Sequence, residues 1–267
     1  MRFIRTGILV LIAAAVVAAE ERSNVHLREE PKLAALFAEH NVRGTFVFAD
    51  SVTRQLVGHN VERAHQRFIP ASTFKIANSL IALENRAVAD VDEVVPYGGK
   101  PQPLPQWERN MSMREAIKVS AVPIYQELAR RVGVEKMRQS VKELNYGNAE
   151  VGEKVDRFWL DGPLKISAIE QVQFLQRLMD GGLRAKQENI AAIREITLLE
   201  KTERHRLHGK TGWCTSVQPD IGWFVGWVEE GGRISMFALN IDMPEQTDAA
   251  KRIPLAKACL SEAGILR

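Results

Sequence analysis

The apolar positions of the chain change period twice, from strand-like near the N-terminus to helical in the middle and back to strand-like near the C-terminus. Pro31 is placed to open a short helix with Leu33, Leu36 and Phe37 on one face and Asn41 closing it. Thr45-Phe46-Val47-Phe48-Ala49 then forms a β-favouring run, and Gln55-Leu56-Val57-Gly58 returns after a turn at Asp50-Ser51-Val52-Thr53, which predicts a hairpin. From Ser72 to about residue 195 the repeat is helical. Ser112-Met113-Arg114-Glu115 and Ser167-Ala168-Ile169-Glu170 are capping boxes, in which serine and glutamate satisfy each other's free backbone N–H groups at a helix start. The second opens a helix with an apolar stripe of Ile169, Val172, Leu175, Leu178 and Met179, ended by Gly181-Gly182. Such a stripe reads as core.

Pro96-Tyr97-Gly98-Gly99-Lys100-Pro101 reads as loop. Ile221 to Val228 and Ile234 to Ile241 are apolar, β-branched and aromatic runs joined by Glu229-Glu230-Gly231-Gly232-Arg233, a strong hairpin signal. A last helix follows from about Asp248 to Ala263, with Pro254 tolerable only near its first turn. Isolated hairpins are marginal, so the terminal strands most economically share one antiparallel sheet. The expected class is α+β: an antiparallel sheet flanked by N- and C-terminal helices, with an inserted all-helical lobe. The α/β lobe would comprise about residues 20–64 and 196–267, and the helical lobe about 65–195.

Composition alters this picture only at the N-terminus. The 267-residue chain is 45% hydrophobic and 26% charged, ordinary for a globular protein, and its formal charge of +3 offers nucleic acid no basic patch. Arg2 and Arg5 precede an apolar run from Gly7 to Val17, and Val17-Ala18-Ala19 sets small residues before Glu20. This is the pattern of a signal peptide at residues 1–19. The run is shorter than the ~20 residues a bilayer span needs. The mature protein, residues 20–267, is therefore expected in the periplasm, free of the membrane, and without Arg2 and Arg5 its formal charge falls to +1. Cys214 in a predicted strand and Cys259 on a predicted helix read as buried thiols in preference to a bridge, which an oxidising compartment would also permit.

Candidate chemistry starts at Ser72-Thr73-Phe74-Lys75, directly after Pro70 and Ala71. A hydroxyl and an amine three residues apart at a helix start share one face, the arrangement of an activated serine nucleophile. Unpaired N–H groups of the first turn favour developing negative charge there. Taken singly, the pattern reads as a capping serine and a solvated lysine in preference to a catalytic pair. Three further segments accompany it: Ser120-Ala121-Val122 before the helix-starting Pro123, Tyr146-Gly147-Asn148 in a turn, and Lys210-Thr211-Gly212-Trp213 opening an edge-like strand, with Gly212 permitting close approach of a ligand. The six histidines, including His205 and His208, show no metal-ligand spacing, so no metal is expected.

Together these segments resemble those of the penicillin-recognising serine enzymes, most closely the class D β-lactamases. S-x-x-K and K-T-G occur across the group; Ser120-Ala121-Val122, Tyr146-Gly147-Asn148 and Phe158-Trp159-Leu160-Asp161-Gly162-Pro163-Leu164-Lys165-Ile166-Ser167 are similar to the class D forms, and the similarity runs from about residue 43 to the C-terminus. The resemblance implies a β-lactam substrate, Ser72 as nucleophile, and Lys75 as general base after its amine has added carbon dioxide. No other cofactor is implied. Backbone N–H groups of Ser72 and Trp213 would hold the oxyanion. Ser120 would relay a proton, and Lys210, Thr211, Gly212 and Arg252 would bind the substrate and its carboxylate. Val119, Val122, Phe74, Trp159 and Leu160 would surround Lys75 and lower its pKa by desolvation, with the Trp159 indole donating to the carbamate. Tyr146 and Asn148 would shape the site. A monomer or a dimer fits equally. The alternatives are a cell-wall transpeptidase or carboxypeptidase, or a β-lactam-sensing domain, each acylated but slow to deacylate.

Overall fold

The computed structural model describes residues 26–50 and 53–267. The expected signal peptide at residues 1–19 and the Ser51-Val52 centre of the first hairpin turn lie outside the described residues.

Strands β1 (Leu27–Glu29), β2 (Gly44–Asp50), β3 (Leu56–His59), β6 (Leu198–Lys201), β7 (His205–Cys214), β8 (Asp220–Glu230) and β9 (Arg233–Met243) form one sheet in the order β1-β3-β2-β9-β8-β7-β6, while β4 (Val94–Val95) and β5 (Met111–Ser112) make a separate pair. Only β1 runs parallel to its neighbour β3; the other pairs are antiparallel. The α-helices of the described residues are α1 (Pro31–Glu39), α2 (Val61–His65), α3 (Lys75–Glu84), α4 (Met113–Lys118), α5 (Val122–Val132), α6 (Val134–Glu143), α7 (Ala168–Met179), α8 (Gln187–Ile196) and α9 (Arg252–Glu262). None is long and apolar enough to cross a membrane. The chain's two ends thus meet in the sheet: β2 pairs with β9 across nearly two hundred residues of sequence, from Gly44 opposite Ile241 to Asp50 opposite Ser235.

Alternation along the strands sets the two layers. Phe46, Phe224, Phe237 and Leu239 pack with Leu33 and Phe37 of α1 and Leu255 and Cys259 of α9. Val47, Trp223, Val225 and Met236 face the other way, joining the core shared with α3, α5 and α7. A side-chain period of two assigns successive residues to opposite faces, so both faces of the central strands are buried. Cys214 and Cys259 are free and belong to these different cores, on opposite sides of the sheet.

Local signals account for the punctuation. Both capping boxes are present, Ser112 with Glu115 at α4 and Ser167 with Glu170 at α7. The β8–β9 connection closes in two residues, Gly231 and Gly232, at φ 57° and 78°, a turn that requires left-handed backbone and so favours glycine. The terminal helix differs from the expectation of one element from Asp248: Gln246–Lys251 is a 3-10 segment, and the α-helix begins at Arg252, with Pro254 still in its first turn. Strands β1 and β6, three and four residues long, were too short to show a period of their own.

Buried polar contacts tie α2 to the sheet. The Arg63 guanidinium donates from Nε to Asn240 Oδ1 (2.8 Å) and from Nη2 to Asp242 Oδ1 (2.6 Å), and lies 4.6 Å above the Phe68 ring. Removing one partner of such a pair strands the other. Arg63→Ala is expected to destabilise the protein by about 3 kcal/mol, measured by urea unfolding; a loss under about 1 kcal/mol would show that the pair does not hold this junction.

Candidate active site

Ser72 sits in a 3-10 turn, Ala71–Phe74, that runs directly into α3. Lys75, not Ser72, is the first α-helical residue, and its Nζ donates to Ser72 Oγ at 2.8 Å. Ala71 is forced to φ 48°, a left-handed value for a residue with a Cβ, costing on the order of 1 kcal/mol. The turn survives because neighbours grip it. Thr73 donates from both its backbone N–H and its Oγ1 to the Pro70 carbonyl, at 3.2 and 2.7 Å.

Lys75 is wholly buried and has no acidic partner among the described residues. Desolvation, reinforced by the like charge of Lys210, holds its pKa well below the ordinary lysine value. Its Nζ lies 5.2 Å from the Tyr125 ring centre on α5. Phe74, the residue before it, stacks on Trp159 at 5.5 Å and meets Tyr146 and Phe158 edge-on at 5.4 and 5.1 Å. Trp159 is fully buried, and its indole Nε1 has no hydrogen-bond partner among the described residues. A buried donor of this kind can receive a hydrogen-bond acceptor.

The strand β7 forms the opposite wall. Lys210 was expected at its start; it lies at its middle, five residues past His205, where β7 has lost β6 as a neighbour and keeps only β8. Lys210 is buried rather than exposed, donates to the Thr211 carbonyl at 3.1 Å, and is pushed down to about 7 by burial and then by the charge of Arg252. At Gly212 a Cβ would stand 2.9 Å from the Pro70 carbonyl oxygen and 3.0 Å from Thr73 Cγ2. Glycine is needed so that β7 can touch the Ser72 turn. Arg252, at the start of α9, donates to the carbonyls of Ala249 (2.8 Å) and Gly212 (2.6 Å) and lies 5.7 Å from the Trp213 ring centre. Trp213 is partly exposed and donates to Asp220 Oδ2 at 2.7 Å.

Ser120 occupies the break between α4 and α5 at φ 56°. No hydrogen bond joins it to Ser72, Lys75 or Lys210 among the described residues. Beside it, the Val119 carbonyl accepts from Trp107 Nε1 (3.0 Å), and Val119 and Val122 are half-buried. Tyr146 is buried behind Phe74. Asn148 ties down the segment after Trp159 and Leu160: its Nδ2 donates to the Pro163 carbonyl at 3.0 Å, and its Oδ1 accepts from Lys165 N–H at 2.9 Å. The Leu160 carbonyl accepts from Ser216 Oγ at 3.4 Å, joining that segment to the loop after β7.

Several neighbours escaped the sequence reading. Asn78 and Tyr125 pack beneath Lys75 on α3 and α5, with Asn78 Nδ2 donating to the Tyr125 carbonyl at 3.2 Å. Gln171 lies 1% exposed within the apolar face of α7. A polar residue at a core position of an amphipathic helix is a signal the sequence carried. His208, by contrast, stacks on Trp227 at 4.8 Å and contacts the Arg194 carbonyl through Nδ1, away from this cluster. A hydroxyl beside a buried amine whose neutral form is favoured, facing Lys210 and Arg252, suits acyl transfer to a substrate carrying a carboxylate.

The penicillin-binding protein transpeptidase domain matches residues 44–261. The chain is 39% identical over 233 residues to β-lactamase OXA-5 of Pseudomonas aeruginosa, covering 86% of this chain and 87% of that protein. With β-lactamase OXA-48 of Klebsiella pneumoniae it shares 38% over 232 residues, 87% and 88% of the two chains. The crystal structure of FUS-1 (OXA-85), a class D β-lactamase from Fusobacterium nucleatum subsp. polymorphum, is similar at TM-score 0.86 and 42% identity, covering 90% of this chain and all of its own. The class D β-lactamase YbXI from Nostoc gives TM-score 0.86 at 38% identity, with 88% and 99% covered.

The buried amines have a consequence for stability. The unfolded chain holds lysine protons up to about pH 10.4, whereas native Lys210 releases its proton near 7. The native state therefore gains stability as pH rises from about 7 to 10, by up to ~1.4 kcal/mol per pH unit for each such amine, and loses it as pH falls through 7. Lys210→Met should flatten this rise in chemical-denaturation curves taken across that range. An unchanged slope would mean that Lys210 stays charged when buried.

Proposed function

The chain belongs to the class D β-lactamases, serine enzymes that hydrolyse β-lactams, and from that premise we propose that it is exported to the periplasm and opens the ring of penicillin-type antibiotics through a Ser72 acyl-enzyme with N-carboxylated Lys75 as general base. The observation that carries this reading is the 2.8 Å contact between Ser72 Oγ and a wholly buried Lys75 amine. Export rests on the Arg2, Arg5 and Gly7–Val17 pattern before Ala19. No resident metal or organic cofactor enters the reading.

Ser72 attacks the lactam carbonyl carbon, forming the acyl C–O bond and breaking the C–N bond. Lys75 takes the hydroxyl proton. The backbone N–H groups of Ser72 and Trp213 receive the oxyanion, and Ser120 passes a proton to the departing lactam nitrogen. Lys210, Thr211 and Arg252 hold the substrate carboxylate, with Gly212 keeping β7 against the turn and Trp213 forming the exposed rim. Binding the carboxylate favours the charged form of Lys210, whose pKa of about 7 otherwise leaves it half neutral. Water, activated at Lys75, then releases the acyl group and frees Ser72.

The residues present fit a carboxylated lysine. Only a neutral amine adds carbon dioxide, and burial favours that form of Lys75. The open indole Nε1 of Trp159 would donate to the new carboxylate, and Ser72 Oγ would be its other partner. When bound, the group supplies a carboxylate-like base. Val119, Val122 and Leu160 keep bulk water from the adduct, while Tyr146 behind Phe74 and Asn148 behind Pro163 hold the aromatic segment in place.

Nitrocefin hydrolysis tests the reading. Ser72→Ala is expected to abolish acylation, and Lys75→Ala to slow acylation and deacylation by about 100-fold or more. Full turnover by Lys75→Ala would remove the general-base assignment. Added bicarbonate should raise wild-type turnover, and Trp159→Phe, lacking the indole donor, should need more of it for half-maximal rate. A single stoichiometric burst without turnover would instead favour a sensing or transpeptidase-like protein. For export, the periplasmic form is expected to begin at Glu20; recovery of intact Met1–Ala19 on the periplasmic protein would count against cleavage there.

A further inference from the structure

The turn that carries Ser72 is strained at Ala71 and stands between two elements, β7 on one side and α7 on the other. On the β7 side it meets the Gly212 backbone. On the α7 side its contact is polar and comes from Gln171, while the preceding residue of α7 anchors Arg67, ahead of the turn. Glu170, fixed by the Ser167 capping box, receives Arg67 in a forked ion pair, with Nε donating to Oε2 at 2.9 Å. Gln171 is buried, donates from Nε2 to Thr73 Oγ1 at 3.0 Å and accepts from Tyr146 Oη at 3.3 Å. Its orientation is dictated by proton count. Thr73 spends its only hydroxyl proton on the Pro70 carbonyl, so towards Gln171 it can only accept, and an amide nitrogen must face it.

We propose that Gln171 is a positioning residue: its side-chain amide bridges Tyr146 to Thr73 and so holds the Ser72 hydroxyl in line with Lys75. The inference rests on Ser72 being the nucleophile. Among the described residues no hydrogen bond joins the Gln171 side chain to Ser72, Lys75 or Lys210, so it acts through Thr73 and the Pro70 carbonyl. Tyr146 also bonds Thr73 directly, and the amide adds what a hydrocarbon of the same size cannot, an acceptor for the Tyr146 hydroxyl and a donor to the Thr73 oxygen at once. Small displacements of an attacking group are costly, since near-attack geometry contributes a large share of acyl-transfer rates.

Gln171→Glu separates this role from mere packing. A carboxylate can accept from Tyr146 but presents an acceptor to Thr73, whose proton is already committed. A protonated carboxyl restores the donor. Burial raises the carboxyl pKa into the range where both forms can be sampled. Stopped-flow acylation by nitrocefin, scaled to active enzyme by titration, should show Gln171→Glu approaching the wild-type rate at acid pH and falling away from it by about 10-fold to 100-fold as pH rises. The ratio of the two rates is the readout. Gln171→Leu should show the low rate at every pH, with the non-covalent substrate dissociation constant within about twofold of wild type, because the side chain does not touch substrate. A Gln171→Glu profile that parallels wild type at all pH values overturns the proposal, as does a Gln171→Leu enzyme that acylates at the wild-type rate. Should Gln171→Leu fail to fold, the Gln171→Glu profile alone decides. Ser72→Ala run alongside tells the two failures apart: acylation surviving in Ser72→Ala removes the nucleophile, whereas its loss together with a neutral Gln171 removes only the positioning role.

Discussion

Burial works against a positive charge on the Lys75 amine. The side chain is fully enclosed, no carboxylate among the described residues pairs with it, and the charge of another lysine, Lys210, acts in the same direction as burial. Burying an isolated charge costs several kcal/mol even after relaxation. Desolvation therefore favours the neutral amine over the ammonium beside Ser72. Much of the surrounding structure serves to keep water and counter-charge away from this one atom. Phe74 and Trp159 stack against each other, Tyr125 closes the floor, and Asn78 binds a backbone carbonyl rather than the amine.

Holding that amine against a hydroxyl requires a turn that would not persist alone. Ala71 is left-handed without being glycine, and the following 3-10 turn carries Ser72 with little regular helix to brace it. The bracing is tertiary and comes from both lobes. Strand β7 presses in from the sheet, close enough that position 212 tolerates no side chain, and α7 reaches the turn through Gln171. Ser72 and Lys75 thus stand on the helical side of the seam between sheet and helices, and Lys210 and Arg252 come to it from β7 and α9.

Much of this was legible along the chain. The capping boxes at Ser112 and Ser167, the diglycine hairpin at residues 231–232 and the pairing of the terminal strands depend on local chemistry or on simple economy of hydrogen bonding. What was misread depends on partners distant in sequence. Strands β1 and β6 are too short to carry a period and exist because β3 and β7 offer them edges. Nothing near Gly212 in sequence announces that Pro70 and Thr73 stand where a side chain there would go. Gln171 was passed over inside an apolar stripe, since its meaning lies in Thr73, almost a hundred residues away.

The residue types and spacings by themselves determined which chemistry was available: a hydroxyl three positions before an amine, a lysine-threonine-glycine strand segment, and an indole in an aromatic run. Those are properties of side chains and of the helical and extended periods, and no fold is needed to state them. Only the tertiary structure decided the electrical state of the site. Desolvation depends on how completely other segments enclose a group, so the depressed pKa of Lys75, the value of about 7 at Lys210 and the unpartnered donor on Trp159 arise when helices, sheet and the segment around Trp159 close over them together.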